Sequence, residues 1–284
     1  MKTSHHFRRL IIDLDKRLDD YGLLVPQRSY VKGRRLYRRW KRHFACNIPE
    51  MSLLKKILFP DDIVFDVGAN IGEFSFLFSS LILDGTVYCF EPQRKPFEVL
   101  RGVCHNLNNA HPYRVGFSSS SEITLLFVPI VNGRTSHSEA SLDPHFNNYT
   151  GPERRPKATE YISETVQMTT LDEFIETKCI RKLDFAKIDV EGHELEVLKG
   201  GSHICLRRLR PLFLMEVFPY VYKGHFDALC EHMASHSYAG FILTEDGCGL
   251  QTLALTNADR NSGYNYFFIP SERLGRIAHL RRYN

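Results

Sequence analysis

The stretch DIVFDVGANIGEFSFLF, residues 62–78, decides the fold of this chain. It begins with an apolar run that leads to Asp66, continues through a short loop with Gly68, Asn70 and Gly72, and ends in apolar residues at helical spacing. Glycine permits a positive φ and brings bare backbone close to a ligand, and asparagine tolerates left-handed geometry better than most residues. The pattern predicts a strand, a tight loop and a helix, which open a βαβ unit.

The next segment predicts a second buried strand that ends at an acid. Residues Thr86–Phe90 are mostly β-branched or aromatic, and Glu91 follows them directly before Pro92, which cannot continue a hydrogen-bonded ladder. An acid at the end of the strand after a glycine loop is well placed to accept both hydroxyl groups of a ribose. The glycine spacing differs from that of phosphate-binding loops. The two segments therefore predict a site for a nucleoside-type ligand.

A third segment, LDFAKIDVEGHELEVLKGG at residues 183–201, predicts a strand over Phe185–Val190 and a helix over Glu191–Lys199. Together with DVGANIG (66–72), FEP (90–92) and TTLDEF (169–174), it resembles the FkbM-type methyltransferases. That family is similar to the class I Rossmann-like S-adenosylmethionine enzymes and is mostly associated with O-methylation. The four segments come in the expected order and span about residues 51–219.

The resemblance implies an α/β fold with a Rossmann-like sheet, mostly parallel with an antiparallel last strand. It also implies that S-adenosylmethionine is the cofactor. Adenine in this class lies near the end of the third strand, which we predict at His111–Phe117, so Ser118 joins the predicted contacts. The cofactor-binding residues predicted in this way are Asp66, Gly68, Ala69, Asn70, Gly72, Glu91, Pro92 and Ser118.

Methyl transfer to a hydroxyl needs alignment and a group that helps to remove a proton. The candidates are Asp189, Glu191 and His193. Asp189 could act as base, as metal ligand or as partner of the cofactor amine. Glu191 could equally cap the predicted helix, where an acid is favoured, and His193 has a suitable pKa but could face solvent. Asp189 and Glu191 together could hold a divalent cation, although the sequence assigns no metal ligand.

With this resemblance, we expect the chain to divide into a basic helical extension (1–50), a methyltransferase domain (51–270) and a basic C-terminal tail (271–284). In the extension, Leu36, Trp40 and Phe44 are spaced four apart among arginines and lysines. One interpretation is a basic face for an anionic partner: a membrane surface, a phosphorylated lipid or glycan, or nucleic acid. The other is a solvated helix whose apolar stripe packs on the domain.

The longest irregular region covers residues 132–157, which are rich in Pro, Gly, Ser and Asn. Loops of this length inside a domain are usually functional or disordered. The flanking segments Glu122–Val131 and Tyr161–Gln167 alternate as strands do and predict an added hairpin. In this position the loop could form a lid over the substrate.

The composition limits the classes of protein to which this chain can belong. The 284 residues are 43% hydrophobic and 25% charged, which suits one sizeable α/β domain with an extension. The seven cysteines form no C-x-x-C pair, which argues against a zinc ribbon and favours a reducing compartment. We find no apolar run of bilayer length and no signal peptide, so we expect a cytoplasmic protein. The net charge of +4 does not by itself indicate nucleic acid.

Three functional hypotheses follow. The leading one is an S-adenosylmethionine-dependent O-methyltransferase that acts on a hydroxyl of a small molecule, a sugar or a glycolipid, including a lipid-linked acceptor. The second is a nucleic-acid methyltransferase that uses the basic N-terminus. The chain lacks N-P-P-Y-like and D-P-P-Y-like motifs and a Pro-Cys nucleophile. The third is a methyltransferase-like interaction protein without turnover.

Overall fold

The computed structural model describes residues 26–43, 50–144, 158, 160–218, 224–244, 247–253 and 265–282. The strands are β1 (Ile63–Val67), β2 (Thr86–Phe90), β3 (Ala110–Tyr113), β4 (Gly116–Phe117), β5 (Glu122–Val131), β6 (Arg134–Thr135), β7 (Glu160–Thr169), β8 (Phe185–Ile188), β9 (Leu212–Glu216), β10 (Tyr238–Leu243), β11 (Leu250–Thr252) and β12 (Asn265–Pro270). The α-helices are α1 (Pro26–His43), α2 (Glu50–Ile57), α3 (Glu73–Leu81), α4 (Arg94–Cys104), α5 (Leu171–Thr177), α6 (Glu194–Lys199) and α7 (His225–Ser235). A 3₁₀ helix follows at Ser271–Leu280.

The central sheet has the strand order β11-β10-β12-β9-β8-β1-β2-β3. Pairing is parallel from β9 through β8, β1 and β2 to β3, whereas β12 lies antiparallel between β9 and β10. The predicted fold class, a mostly parallel sheet with an antiparallel last strand and a helical N-terminal region, is confirmed.

The central parallel strands are buried on both faces, which explains why they read as continuous apolar runs. All four residues of β8 are buried, as are Val64–Val67 of β1. Two polar residues interrupt these runs, Asp66 in β1 and Lys187 in β8, and the register places them opposite each other. Buried charges of this kind need partners, so they direct attention to this part of the sheet.

The predicted third strand over 111–117 is wrong as a single strand. Its first part, β3, pairs with β2 in the central sheet, and its last two residues, β4, pair with β7 in a second sheet. Gly116 lies close to β7 at this switch, since a Cβ there would lie 2.6 Å from Sδ of Met168. The chain therefore leaves the central sheet at residues 114–115.

The second sheet has the order β4-β7-β5-β6. β5 and β7 pair antiparallel from Glu122–Met168 to Ile130–Glu160, which confirms the predicted hairpin. Of the predicted loop, residues 132–144 are described and residues 145–157 lie outside the described ranges.

Helix α1 packs against α4 at very short range. A Cβ on Gly33 would lie 1.9 Å from the backbone oxygen of Val99, and one on Gly102 would lie 2.0 Å from that of Tyr30. Trp40 is buried against Phe76. The apolar stripe therefore packs on the domain, as the second interpretation predicts, while Phe44 lies outside the described residues.

The segment after β12 contributes to the main core, since Ile277 and Leu280 of the 3₁₀ helix are buried there. The division of the chain at residues 50 and 271 stays a prediction. No helix in the described ranges is both long and apolar enough to cross a membrane.

Candidate active site

Two cavities meet at the carboxyl ends of β1, β2 and β8. The first has a volume of about 350 Å³ and the second about 540 Å³. A volume of this order is typical of small-molecule sites. Their walls share Gly68, Asn70, His137, Ser138 and Asp189. These shared residues mark the junction of the two cavities.

Glu91 lies directly after β2 and lines the first cavity. Its side chain is buried, and its Oε2 and Oε1 accept hydrogen bonds from the backbone N–H groups of Asn70 (3.0 Å) and Gln93 (2.8 Å). Burial raises the pKa of Glu91 to about 8, although both N–H donors oppose this shift. A carboxylate accepts about four hydrogen bonds, so two backbone donors leave room for two ligand hydroxyls.

Asp66 lines the second cavity and is completely buried. Its Oδ2 accepts a hydrogen bond of 2.6 Å from the Ser75 hydroxyl, whereas Oδ1 has no partner among the described residues. Burial raises the pKa of Asp66, and the nearby Lys187 ammonium opposes this shift. A buried carboxylate oxygen without a partner beside a cavity suits a donor supplied by a ligand, such as an ammonium group.

The loop after β1 has the predicted left-handed geometry, with φ of 79° at Gly68, 47° at Asn70 and 91° at Gly72. The N–H groups of Gly68 and Ala69 donate to the carbonyl of Phe90 over 3.0 and 2.9 Å, which ties the loop to β2. A Cβ on Gly68 would lie 1.7 Å from the carbonyl oxygen of Asp189, so only glycine fits.

The other predicted cofactor residues fall into two groups. Ala69 lines the second cavity and Pro92 the first. Gly72 and Ser118 lie outside both cavity walls. Gly72 faces Leu100, whose Cδ1 would lie 2.8 Å from an added Cβ, and Ser118 is buried beside His193.

Asp189 follows β8 at the junction of the cavities and pairs with a lysine that the sequence analysis did not assign. Lys187 is almost completely buried, and its Nζ donates to Oδ2 of Asp189 over 2.7 Å. The same Nζ lies 4.6 Å from the centre of the Phe74 ring. Burial alone would lower the pKa of Lys187, but Asp189 and Asp66 outweigh it and raise that pKa. A lysine inside an apolar strand was the signal that could have identified it.

Glu191 and His193 line the first cavity, but not as parts of a helix. Glu191 has a φ of 51°, which a helix does not accommodate, and α6 begins only at Glu194. The predicted start at Glu191 and its capping role are therefore wrong. The capping residue is His193, whose side chain makes no capping hydrogen bond, and Oε1 of Glu194 accepts from the N–H of Gly192 over 2.9 Å.

His193 is held on one side of the first cavity. Its Nε2 lies 3.0 Å from the hydroxyl of Ser118, and burial lowers the pKa of His193. The structure thus brings together one predicted catalytic residue and one predicted cofactor contact, with the imidazole neutral at pH 7.

His137, at the start of a 3₁₀ turn over His137–Glu139, is a cavity residue that the sequence did not single out. Gln93 holds it through two bonds: Gln93 Nε2 donates to the carbonyl of His137 over 2.9 Å, and Gln93 Oε1 lies 2.8 Å from His137 Nδ1. Farther along, the Ser141 hydroxyl donates to the carbonyl of Glu191 over 2.9 Å. These contacts fasten residues 137–141 over the cavities.

Across the described residues, no group of three or more His, Cys, Asp or Glu side chains is arranged to hold a metal ion.

Three relatives share parts of this chain. A hexuronic acid methyltransferase, AglP, from Haloferax volcanii is 33% identical over 50% of this chain and 51% of its own length. A 31-O-demethyl-FK506 methyltransferase, FkbM, from Streptomyces tacrolimicus is 33% identical over 53% of this chain and 64% of its own length. A 2-O-methyltransferase, NoeI, from Sinorhizobium fredii is 24% identical over 76% of this chain and 82% of its own length. The chain therefore spans about half the length of the first of these relatives.

The family model described as the methyltransferase FkbM domain matches residues 66–243. This range begins at the buried acid of β1 and ends with β10, so it contains the loop, the strand-end acid and the β8 segment that build both cavities. The chain belongs to the FkbM methyltransferase family.

Proposed function

We propose that this protein is an S-adenosylmethionine-dependent O-methyltransferase whose cofactor lies across the two cavities. The observation that supports it most strongly is the setting of Glu91. Its carboxyl group is fixed by two backbone N–H groups in a cavity wall, and its remaining lone pairs suit the two hydroxyls of a ribose. S-adenosylmethionine, when bound, supplies an electrophilic methyl group.

Other residues of the two cavity walls suit the adenine and the methionine end of this cofactor. The adenine would lie in the first cavity, whose wall includes the apolar side chains of Phe90, Phe117 and Met168. The methionine end would lie at the loop of Gly68 and Asn70, with its ammonium group on the partnerless Oδ1 of Asp66. Each end of the cofactor thus meets a surface of suitable polarity.

Asp189 is the predicted catalytic residue best placed for the reacting centre, since it lines both cavities and lies beside the loop glycine. Its ion pair with Lys187, with Nζ and Oδ2 2.7 Å apart, holds it in one orientation. In this position Asp189 would accept a hydrogen bond from an acceptor hydroxyl and align that oxygen with the methyl group.

For the acceptor we propose a hydroxyl of a sugar or another small molecule that carries an acidic group. The names of the three relatives cite a hexuronic acid and O-methylation at two different positions. In this chain, Lys32 on α1 and Lys95 on α4 line the second cavity together with Ser29. Because α1 is fixed on α4 by close glycine contacts, Lys32 is held at the cavity wall. An anionic partner of the basic N-terminal helix would therefore be the acceptor itself.

The cofactor assignment is tested by thermal unfolding with and without S-adenosylhomocysteine. Ligand at 100 times its dissociation constant adds about 2.7 kcal/mol, which raises the midpoint by several degrees. Glu91→Ala should lose this shift, and Glu98→Ala, which removes a half-buried glutamate on α4, should keep it. No shift at millimolar ligand in the parent protein would refute the cofactor assignment.

The acceptor class is tested by transfer of a labelled methyl group from S-adenosylmethionine to glucuronic acid, glucose, glucose 6-phosphate and a mixed RNA. We expect transfer to an acidic sugar, and we expect Lys32→Gln to raise KM for it about tenfold without changing S-adenosylhomocysteine binding. Lys41→Gln, on the same helix but outside the cavity wall, is the matched control. Labelled RNA would favour the nucleic-acid hypothesis instead.

A further inference from the structure

Lys187 is a buried lysine whose ammonium group lies at the wall of the second cavity. Its side chain is only 3% exposed, and the residue lines that cavity. Both groups that its Nζ contacts line the same cavity: Oδ2 of Asp189 is 2.7 Å away, and the centre of the Phe74 ring is 4.6 Å away. The ammonium group therefore lies among residues of the cavity wall.

The fold uses only part of the hydrogen-bonding capacity of this ammonium group, which has three N–H donors. Within the described part of the chain, the carboxylate of Asp189 is the only hydrogen-bond acceptor of Lys187. The Phe74 ring takes a second N–H as a cation–π contact. Burial lowers the pKa of Lys187, but Asp189 and Asp66 outweigh it and raise that pKa, so the group is charged at neutral pH. A buried cation thus keeps room for one further acceptor.

Lys187 lies directly beside Asp66. The two residues are register partners on the parallel strands β8 and β1, which are about 5 Å apart, so both side chains leave the sheet on the same face. Among the described residues no hydrogen bond joins them, since Oδ2 of Asp66 accepts from Ser75 and Oδ1 has no partner. The second cavity therefore has a carboxylate oxygen and an ammonium group side by side in its wall.

An acid beside a base in this arrangement is complementary to the head group of an α-amino acid. Such a head group carries its ammonium and its carboxylate on one carbon atom, so the partners of the two charges must also lie close together. Hydrogen bonds between charged groups are about twice as strong as those between neutral ones. The proposed function places the methionine end of the cofactor here, with its ammonium group on Oδ1 of Asp66. The neighbouring cation is then the natural partner of its carboxylate.

Two other lysines line the second cavity, but their settings differ. Lys32 on α1 is exposed, and Lys95 on α4 is half-buried. Water screens the charge of an exposed group, so its attraction for an anion is weaker than that of a buried cation. These helix residues suit the acidic group of an acceptor that enters from solvent, whereas Lys187 comes from the sheet itself.

We propose that Lys187 binds the carboxylate of the methionine end of the cofactor, a proposal that rests on the proposed function. Its ammonium group donates to that carboxylate and keeps its hydrogen bond to Asp189. Asp66 and Lys187 together then select a cofactor with a complete amino-acid head group. Lys187 also connects cofactor binding to the orientation of Asp189 at the junction of the cavities.

Two ligands that differ in a single carboxylate test the proposal in the parent protein. Decarboxylated S-adenosylhomocysteine keeps the nucleoside, the sulfur and the amine. We expect titration calorimetry to show that it binds about 10- to 100-fold more weakly than S-adenosylhomocysteine. A difference of less than about threefold would overturn the proposal, and this comparison does not depend on the folding of any variant.

Lys187→Met assigns the difference to the lysine, because methionine keeps an unbranched apolar side chain and removes the charge. The ratio of the two affinities cancels any effect on the parts that the ligands share. In this variant the ratio should fall to within about threefold of one. Lys182→Met is the matched control, since Lys182 also pairs with an aspartate two residues along, Asp184, at the amino end of β8. The control should keep the ratio of the parent protein.

The ways in which the proposal could fail are distinguishable. If the parent protein binds neither ligand, the cofactor assignment itself is wrong. If it binds S-adenosylhomocysteine and Lys187→Met keeps the parent ratio, only the role of Lys187 is wrong. The same ratio together with a raised KM for the acidic acceptor would mean that Lys187 binds the acid of the acceptor, which also overturns the proposal.

Discussion

Buried acids lie both at the amino ends and at the carboxyl ends of the central strands, and the two groups differ in their partners. At the amino ends of β1 and β8, Asp62 and Asp184 are paired with basic side chains. Asp62 pairs with Arg276, Asp184 lies 3.2 Å from Nζ of Lys182, and each also accepts a backbone N–H over 2.9 Å. These acids connect the 3₁₀ helix and the strand ends, so their role is structural.

At the carboxyl ends of β1 and β2, Asp66 and Glu91 are equally buried but incompletely partnered. Within the described ranges neither forms a salt bridge, and one oxygen of Asp66 has no partner. Acidic residues at opposite ends of these strands thus have different roles. Acids paired with a basic side chain stabilise the fold, and acids beside a cavity whose donors are neutral groups are prepared for a ligand.

The largest expected effect is on stability at the partnered end. Asp62→Ala should lower the free energy of unfolding by about 3 kcal/mol, because it removes the nearest carboxylate of the half-buried Arg276 and leaves only Asp184, 4.0 Å away, to balance that charge. Urea denaturation measures the change. The folded fraction should still bind S-adenosylhomocysteine, and a loss below about 1 kcal/mol would remove the contrast between the two ends.

The reciprocal variant at the other end should spare stability and remove binding. Glu91→Ala should weaken S-adenosylhomocysteine by about 3 kcal/mol, roughly a hundredfold or more, because two charged hydrogen bonds to the ribose are lost. Titration calorimetry gives the affinity, and the urea midpoint should change little. Asp66→Ala should behave in the same way, and unfolding of either variant would show that these acids are structural.

The raised pKa of Glu91, about 8 compared with 4.5 in the unfolded chain, predicts a pH dependence. Between these values the folded empty protein binds more protons than the unfolded chain, so stability falls as pH rises, by at most about 1.4 kcal/mol per pH unit. Binding of ribose hydroxyls favours the carboxylate, so affinity for S-adenosylhomocysteine should rise with pH up to about 8. Thermal unfolding and calorimetry across pH 5–9 measure both trends.

Glu91→Gln is the control for this dependence, because an amide does not titrate. Its stability curve should lack the fall seen in the parent protein. Equal slopes in the two proteins would mean that Glu91 is already ionised in the empty site.

The smallest expected effect is at Ser118, which was predicted to contact the cofactor but lies outside both cavity walls. Ser118→Ala should cost about 1 kcal/mol of stability through loss of its hydrogen bond to His193, with unchanged cofactor affinity. A fall in affinity of more than about threefold would restore its predicted role.

The strand ends could be predicted from the sequence because local patterns encode them. Apolar runs that stop at Asp66 and Glu91, followed by glycine or proline, fix both the strand and the position of the acid. The left-handed geometry of the loop could also be predicted from its glycines, because a positive φ is adopted mainly by glycine. Lys187 could also have been identified from the sequence, because a lysine inside an apolar strand is expected to be buried and to need a charged partner.

Contacts between distant segments could not be predicted in this way. Gln93 and His137 are 44 residues apart, and no periodicity in either segment indicates that they meet. The division of residues 110–117 between two sheets depends on the pairing of Gly116 with Met168 in β7, which lies far along the chain. The positive φ of Glu191 fell on a residue type that rarely adopts it, so the helix was predicted to start too early.

The most direct test of the account is a crystal structure of the protein with S-adenosylhomocysteine. We expect both ribose hydroxyls within hydrogen-bonding distance of the Glu91 carboxylate, the amino group on Asp66, and the sulfur at the junction lined by Asp189 and His137. A ligand bound elsewhere, or bound in the first cavity with its ribose turned away from Glu91, would contradict the account.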